Sequence, residues 1–331
     1  MALLPPDPVY CLKSPDLSSY NSLCFHTAER LHAGTTKGTV QLWDMQTNRS
    51  SYQLSVGTSP IINVAHTDDA LITQEKEGYV KLWELTNSAY VLRHEVCTDH
   101  VGFCRFLYHG SPQRDQANAP SVIIPKSGSN ISILCGRTFT ERQLLSVTGS
   151  GAIQSKLPPL GTVMCFLPVE LKSTTYLLAG YESGVLILWD LNTSKPLSQV
   201  QLGASDECLM ALDYDPVTNR GVCGGSSDRI IIFSIDRQSM GICKKSEICI
   251  KNKGVHRLRI RKDLKVFASG GWDGRIRVFS WKSLRPLAVL TEHKGELMDI
   301  VYSDEKVYMW KAVIMAAAGS DGQISLWDLY N

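Results

Sequence analysis

Long apolar runs are missing from this sequence. No stretch approaches the ~18 consecutive apolar residues that a membrane-crossing helix requires, so a helical membrane protein is not expected. The first eight residues hold three prolines and no basic-then-apolar run, which argues against a secretory leader. One-sided charge is missing too. The formal net charge is +2, so no whole-molecule field demands nucleic acid or an anionic membrane. The ten cysteines include no C-x-x-C pair and no His/Cys ligand cluster, and the spacing of Cys243 and Cys249 fits no common zinc site. In a chain of 331 residues they read as small apolar thiols of a reducing compartment. The expected location is intracellular, cytoplasmic and/or nuclear, and not secreted.

Catalytic signatures are equally scarce. The Gly-rich stretches Gly34–Thr39 and Gly224–Arg229 lack the G-x-x-x-x-G-K-[ST] order and lead into no helix whose N-terminus would hold a phosphate. There is no G-x-S-x-G elbow, and the eight histidines make no i, i+4 metal pair. His94 and His100 flank Cys97, the nearest thing to a Cys–His cluster, but no third residue is placed to orient it. Asp68-Asp69 and Asp213/Asp215 fall at turns, where turn chemistry explains them. No catalytic, cofactor-binding or metal-binding residue is assigned, and the chain is expected not to be an enzyme.

What the sequence does have is repetition, the first thing to test in a long chain. A short apolar strand, a tight polar turn and a second apolar strand ending in an aromatic recur as Leu31–Asp44, Leu71–Glu84, Tyr176–Asp190, Gly221–Ser234, Val266–Ser280 and Ile314–Asp328. A degenerate copy, Val122–Cys135, makes seven. The second strands end at Trp43, Trp83, Leu134, Trp189, Phe233, Phe279 and Trp327. Their spacings of 40, 51, 55, 44, 46 and 48 residues match a four-stranded propeller blade plus loop insertions. Turn pairs such as Asp273-Gly274 and Asp321-Gly322 supply residues tolerant of positive φ. Apolar runs lie upstream of each pair (SLCFH, IINVAH, GFCRFLY, VMCFLPV, LMALDY, HRLRI, LMDIVY) and downstream of some, as in PLSQVQL and PLAVL. Four strands per unit and seven units predict an all-β, seven-bladed β-propeller.

The last copy has no room for a fourth strand after Trp327. The segment at about residues 9–12 is therefore expected to pair with the last blade and close the ring, removing an exposed edge. The expected domain organisation is one propeller over 1–331. Its blades lie at about 13–56, 57–96, 97–150, 151–203, 204–250, 251–292, and 293–331 plus 8–12. The polar, Pro-interrupted loop His109–Pro120 reads as a tolerated insertion.

These units resemble the WD-repeat family. Four copies end in Leu-Trp, followed by Asp44, Asp190, Asp328 and, once, Glu84. The family's structural network of His, turn Asp and strand Trp is matched by His293, Asp321 and Trp327, with Ala318 at the strand position where Ser or Thr would complete it. Trp43, Trp83, Trp189, Phe233 and Phe279 are expected to be packing residues. The runs DPVYCL, VGFCR, LLAGYESGVLILWD, GWDGRIRVFSW, RPLAVL and ISLWDLY resemble the beta-subunit-like branch of the family. That resemblance implies a non-catalytic protein-interaction scaffold. It points to a co-chaperone adaptor working with the TTT complex on phosphatidylinositol-kinase-related protein kinases. A chromatin- or nucleic-acid-associated subunit of an ASTRA-like assembly is the alternative. A G-protein gamma subunit is not an expected partner, because about eight Pro-rich residues before the first strand cannot form the coiled-coil helix that gamma requires.

One local feature stands out. Between Lys244 and Lys265 lie nine basic residues against Glu247 and Asp263. In VHRLRIRK, arginines alternate with apolar residues at the period of a strand. Lys251, Lys253, Arg257, Arg259, Arg261 and Lys262 are the candidate partner-binding residues, suited to an acidic segment. Nucleic acid is disfavoured because no aromatic residues interleave the charges.

Overall fold

Among the residues described, the repeats fold into 28 strands. The computed structural model describes residues 6–14, 16, 18–67, 70–110, 120–147 and 159–330, and among them there is no helix. The chain enters with β1 (Tyr10–Lys13). The first sheet holds β2 (Tyr20–Thr27), β3 (Arg30–Thr35), β4 (Thr39–Asp44) and β5 (Arg49–Ser55). The second holds β6 (Ile61–His66), β7 (Ala70–Glu75), β8 (Tyr79–Thr86) and β9 (Ala89–Cys97). The third is β10 (Leu107–His109), β11 (Ser121–Pro125), β12 (Ile131–Cys135) and β13 (Glu141–Leu145). The fourth is β14 (Val163–Leu171), β15 (Thr174–Tyr181), β16 (Val185–Asp190) and β17 (Lys195–Gln201). The fifth is β18 (Leu209–Asp215), β19 (Arg220–Gly225), β20 (Arg229–Ile235) and β21 (Ile242–Cys249). The sixth is β22 (Val255–Ile260), β23 (Val266–Gly271), β24 (Ile276–Ser280) and β25 (Pro286–Leu290). The seventh takes β26 (Leu297–Tyr302), β27 (Met315–Gly319) and β28 (Gln323–Trp327), and completes itself with β1.

Each sheet is antiparallel and four-stranded, and the fold class is a seven-bladed β-propeller. The N-terminal strand is antiparallel to β28, with Tyr10 opposite Leu326 and Lys13 opposite Gln323. Leu12 is buried there among Ile324, Leu326 and Ala316. The third blade departs from the sequence reading: of GFCRFLY only Leu107 and Tyr108 lie in a strand, because bends at Gly102 and Phe103 break the run. Cys104 and Phe106 nonetheless supply buried side chains. Most of the loop 109–120, and the pair Asp68-Asp69, lie outside the described residues.

Two compact units divide the chain. The first comprises Met1–Lys76, Leu82–Arg93 and Lys251–Asn331. Its core includes Leu12, Tyr20, Leu31, Trp43 and Met45, a group around Val40, Ile61 and Trp83, and a group around Val278, Leu297 and Trp327. The second comprises Glu77–Lys81 and His94–Ile250. Its core centres on Trp189, Tyr181 and Ile187, and on Phe233, Leu188 and Leu212. The Trp189 indole N–H donates to the Tyr181 hydroxyl at 3.2 Å, so this buried ring leaves no polar group stranded.

A local irregularity recurs with the repeat. In six sheets the first strand slips register by one residue near its start: Tyr20/Ser22, Ile61/Asn63, Val163/Cys165, Leu209/Ala211, Val255/Arg257 and Leu297/Asp299. Such a slip re-aims the residue that follows it. That residue is Arg257 in the sixth blade and Asp299 in the seventh.

Deletion of residues 1–12 removes most of β1, the burial of Leu12 and the cover on β28. The loss of that leucine alone is worth about 2–5 kcal/mol. The melting temperature is expected to fall by several degrees, and an unchanged thermal transition would contradict the role given to β1.

Candidate functional site

The basic segment of the sixth blade is largely consumed by internal pairing. Arg257 leaves β22 and donates from Nε to Asp299 Oδ1 at 2.8 Å. The Asp299 side chain is 1% exposed. Its Oδ2 accepts the Leu23 backbone N–H at 2.8 Å, and Oδ1 also accepts the Ile300 N–H at 2.9 Å. One buried carboxylate thus holds β22, β26 and β2 together. Arg261 is buried as well. It grips Asp263 with two parallel hydrogen bonds of 2.9 Å and donates to the carbonyls of Leu329 and Tyr330, fastening the chain after β28.

The remaining cations divide into paired and unpaired. Lys262 meets Asp304 at 2.6 Å with both side chains in solvent, an arrangement that contributes little to stability. Lys244 and Arg229 share Glu247, and Lys265 reaches Asp263 at 3.7 Å. Arg259 is half-buried on β22. Lys251 and Lys253 are exposed on the segment entering β22, and no acidic group among the described residues pairs with either. The six candidates therefore do not form one continuous surface: Arg257 and Arg261 hold the fold, while Lys251, Lys253 and Lys262 reach solvent.

Tight turns between the second and third strands carry two different polar solutions. In the seventh blade, His293 Nδ1 lies 3.1 Å from Asp321 Oδ1, and its Nε2 lies 2.7 Å from Ser325 Oγ. Ser325 Oγ also accepts the Trp327 indole N–H at 2.7 Å. The network is therefore complete. The hydroxyl that the sequence reading sought at Ala318 comes instead from Ser325 on β28, facing Ala317. Burial would raise the Asp321 carboxyl, but hydrogen bonds from His293 and the Lys294 N–H hold it below its ordinary value. In the sixth blade Arg277 stands where Ser325 stands in the seventh, and is buried against Asp273 at 2.6 Å. Burial opposes the charge of Asp273, yet Arg277 and Asn252 keep its pKa low.

Other titratable groups are packed or capped. Among the described residues no group of three or more His, Cys, Asp or Glu is arranged to hold a metal ion. The His94 ring stacks on Phe139, Cys97 is exposed beside Asp99, and burial lowers the pKa of His100, so these three do not act as a cluster. Burial would push up the thiol of Cys135, but the Thr138 hydroxyl, the Arg137 and Thr138 N–H groups and the Arg142 guanidinium, 3.0 Å away, bring it to about 7. The sequence carries no signal of that pocket. His26 and His66 stack with ring centroids 3.6 Å apart, and His32 lies 5.0 Å from His66. His66 Nε2 meets the Tyr90 hydroxyl at 3.1 Å. Burial, then His66, His26 and Arg30, lower the pKa of His32 to about 3.

Comparison with known proteins agrees with this geometry. The family model "WD domain, G-beta repeat" matches residues 245–280, from within β21 through β24, and 284–328, from β25 through β28. The chain is 29% identical to mouse "Guanine nucleotide-binding protein subunit beta-like protein 1" across 98% of its own length and 97% of the relative. It is 25% identical to "ASTRA-associated protein 1" of Schizosaccharomyces pombe, covering 98% of this chain and 99% of that one. The protein of the same name from Verticillium alfalfae is 22% identical over 91% and 87%.

Two outcomes test these assignments. Replacing Arg257 by Ala leaves the buried Asp299 charge without its counter-ion, and replacing Asp299 by Ala removes the carboxylate that holds Arg257 and the Leu23 N–H; either is expected to cost about 3–5 kcal/mol in urea denaturation. A loss near zero for both would remove the carboxylate from its structural role. His32 binds a proton in the unfolded chain near its ordinary 6.5 but not in the fold until about pH 3. Stability should therefore fall as pH drops from 6.5 toward 3, with a slope of up to about 1.4 kcal/mol per pH unit from this residue. His32→Leu should flatten that slope, measured as the shift in urea midpoint between neutral and acid buffers.

Proposed function

This chain is a WD-repeat β-propeller protein resembling guanine nucleotide-binding protein subunit beta-like protein 1, and we propose that it is a non-catalytic scaffold for other proteins. Its specific role in this reading is that of an adaptor acting with the TTT co-chaperone in the maturation of phosphatidylinositol-kinase-related kinases. The observation that carries the reading is the end-to-end similarity to proteins named for association with ASTRA, spanning 98% of this chain. A module that works by binding needs rigid presentation of many loops, and four-stranded sheets joined by short turns supply it.

The sites of contact belong to the same reading. Lys251, Lys253 and Lys262 are its solvent-facing cations, with half-buried Arg259 between them in sequence on β22. Arg257 and Arg261 act by holding β22 and the chain end in place. No catalytic residue and no cofactor enter the reading, nor does a gamma subunit or a membrane. All ten cysteines are free thiols, which fits residence in the cytosol or nucleus.

The test is affinity purification of the tagged protein from nuclease-treated native extract at physiological salt, with mass spectrometry of the captured partners. Recovery of TTT subunits or of large kinases of that class is the expected result. Chromatin proteins recovered in a parallel purification without nuclease and absent from the treated sample, with no TTT subunit in either, would replace it with the nucleic-acid reading.

A further inference from the structure

The sixth blade presents an aromatic ring that its core does not enclose. Trp272 follows β23 at the tight turn into β24 and is 37% exposed. Its backbone N–H donates to the Gly254 carbonyl at 3.2 Å. The indole lies so close over Gly254 that a Cβ there would come within 2.2 Å of the ring, and Gly254 has a φ of +96°. Only glycine fits beneath it. The ring is therefore fixed in place while more than a third of the residue stays in water, as in a preorganised contact anchor.

Cations stand on the segments that adjoin the ring. Lys251 and Lys253 stand on the segment that carries Gly254, and the Asn252 side chain ties that segment to Asp273 at 2.8 Å. Arg275 sits on the Trp272 turn with its side chain 41% exposed and its Nε 4.0 Å from Asp273. The turn also abuts the seventh blade: a Cβ on Gly274 would meet the carbonyls of Gly295 and His293 at 2.8 and 2.9 Å. Between those two residues stands Lys294, exposed. The acid of this turn, Asp273, is already held by buried Arg277 and by Asn252. Lys251, Lys253 and Lys294 have no acidic partner among the described residues, so a positive surface with an apolar centre is left open to solvent.

We propose that Trp272, flanked by Lys251, Lys253, Arg275 and Lys294, docks a short acidic segment of a partner protein, with an apolar side chain of that segment laid against the indole. The inference rests on the scaffold reading and assigns it a surface and a ligand chemistry. Exposed Glu292 and Glu296 flank Lys294 in sequence and bound the positive surface, so that it suits a short acidic segment better than a long polyanion. A single ring also gives successive bases no platform.

The experiment is fluorescence anisotropy with a fluorescein-labelled peptide of alternating Asp and Glu around a central Leu, titrated with the full chain. Saturable binding that weakens as salt rises is expected. Both Trp272→Ala and the double variant Lys251→Glu/Lys253→Glu should weaken it by about tenfold or more, with melting temperatures unchanged. Lys195→Glu, exposed at the start of β17, should bind like the parent. Arg257 is left untouched because its replacement would strand Asp299. Absence of binding by the parent, equal binding by the variants, or tighter binding of a duplex oligonucleotide through the same residues would each overturn the proposal. Repeating the affinity purification with Trp272→Ala separates the two readings. The same partners captured equally by parent and variant would discard this surface and keep the scaffold, whereas no protein partner captured by the parent would remove both.

Discussion

A buried carboxylate sets the arrangement of the first strands of three sheets. Asp299 is almost fully removed from water, and a charge in that position is tolerable only if its lone pairs are occupied. Arg257 supplies the counter-charge, while the N–H groups of Leu23 and Ile300 supply hydrogen bonds. Each of these partners lies on a different stretch of chain, so the carboxylate is satisfied only when β2, β22 and β26 stand in one register. Apolar packing of Leu297, Ile300 and Trp327 stabilises more, but it is less demanding about position.

The slip in the first strand explains why this position can do such work. The repeat puts the residue after the slip in the same place in blade after blade, and its chemistry then varies. In the fourth blade that residue is Cys165, whose thiol donates to the Leu209 carbonyl on the first strand of the fifth at 3.2 Å. In the sixth and seventh it becomes an Arg–Asp ion pair. The turn after the second strand varies in the same manner. His293, Asp321, Ser325 and Trp327 form a chain of neutral and charged hydrogen bonds, while next door Arg277 and Asp273 form a buried ion pair. One backbone geometry accepts several polar solutions, provided each buried group finds a partner.

That variety marks the boundary of what could be read from the sequence. Alternating apolar residues and Gly-containing turns made the seven sheets legible, and the lack of a last strand after Trp327 made the pairing of β1 legible. The degenerate third blade was visible as a repeat but not in its detail, because bends before Leu107 shorten the strand without exposing Cys104 or Phe106. The basic segment was visible as a sum of charges, which cannot distinguish a solvated lysine from an arginine committed to an acid far along the chain. LMDIVY reads as an apolar run, and nothing local says that its aspartate faces Arg257. Aligning the slipped first strands would have placed the two in one column. Ser325 was missed for a related reason: the expected hydroxyl was sought on β27, whereas β28 presents one at the same height.

The completion of the seventh sheet by β1 has a consequence for how the protein is made. Synthesis produces Tyr10–Lys13 long before its hydrogen-bonding partners, Gln323–Leu326. Until then the first strand has no ladder to join and its apolar face has no cover. Six sheets can form from neighbouring segments as they emerge, since their pairings are local. The seventh cannot, because closing a loop that spans nearly the whole polypeptide is slow and entropically costly. The seventh sheet therefore closes after the others, and the interval is one in which an unpaired strand must be kept from the wrong partner.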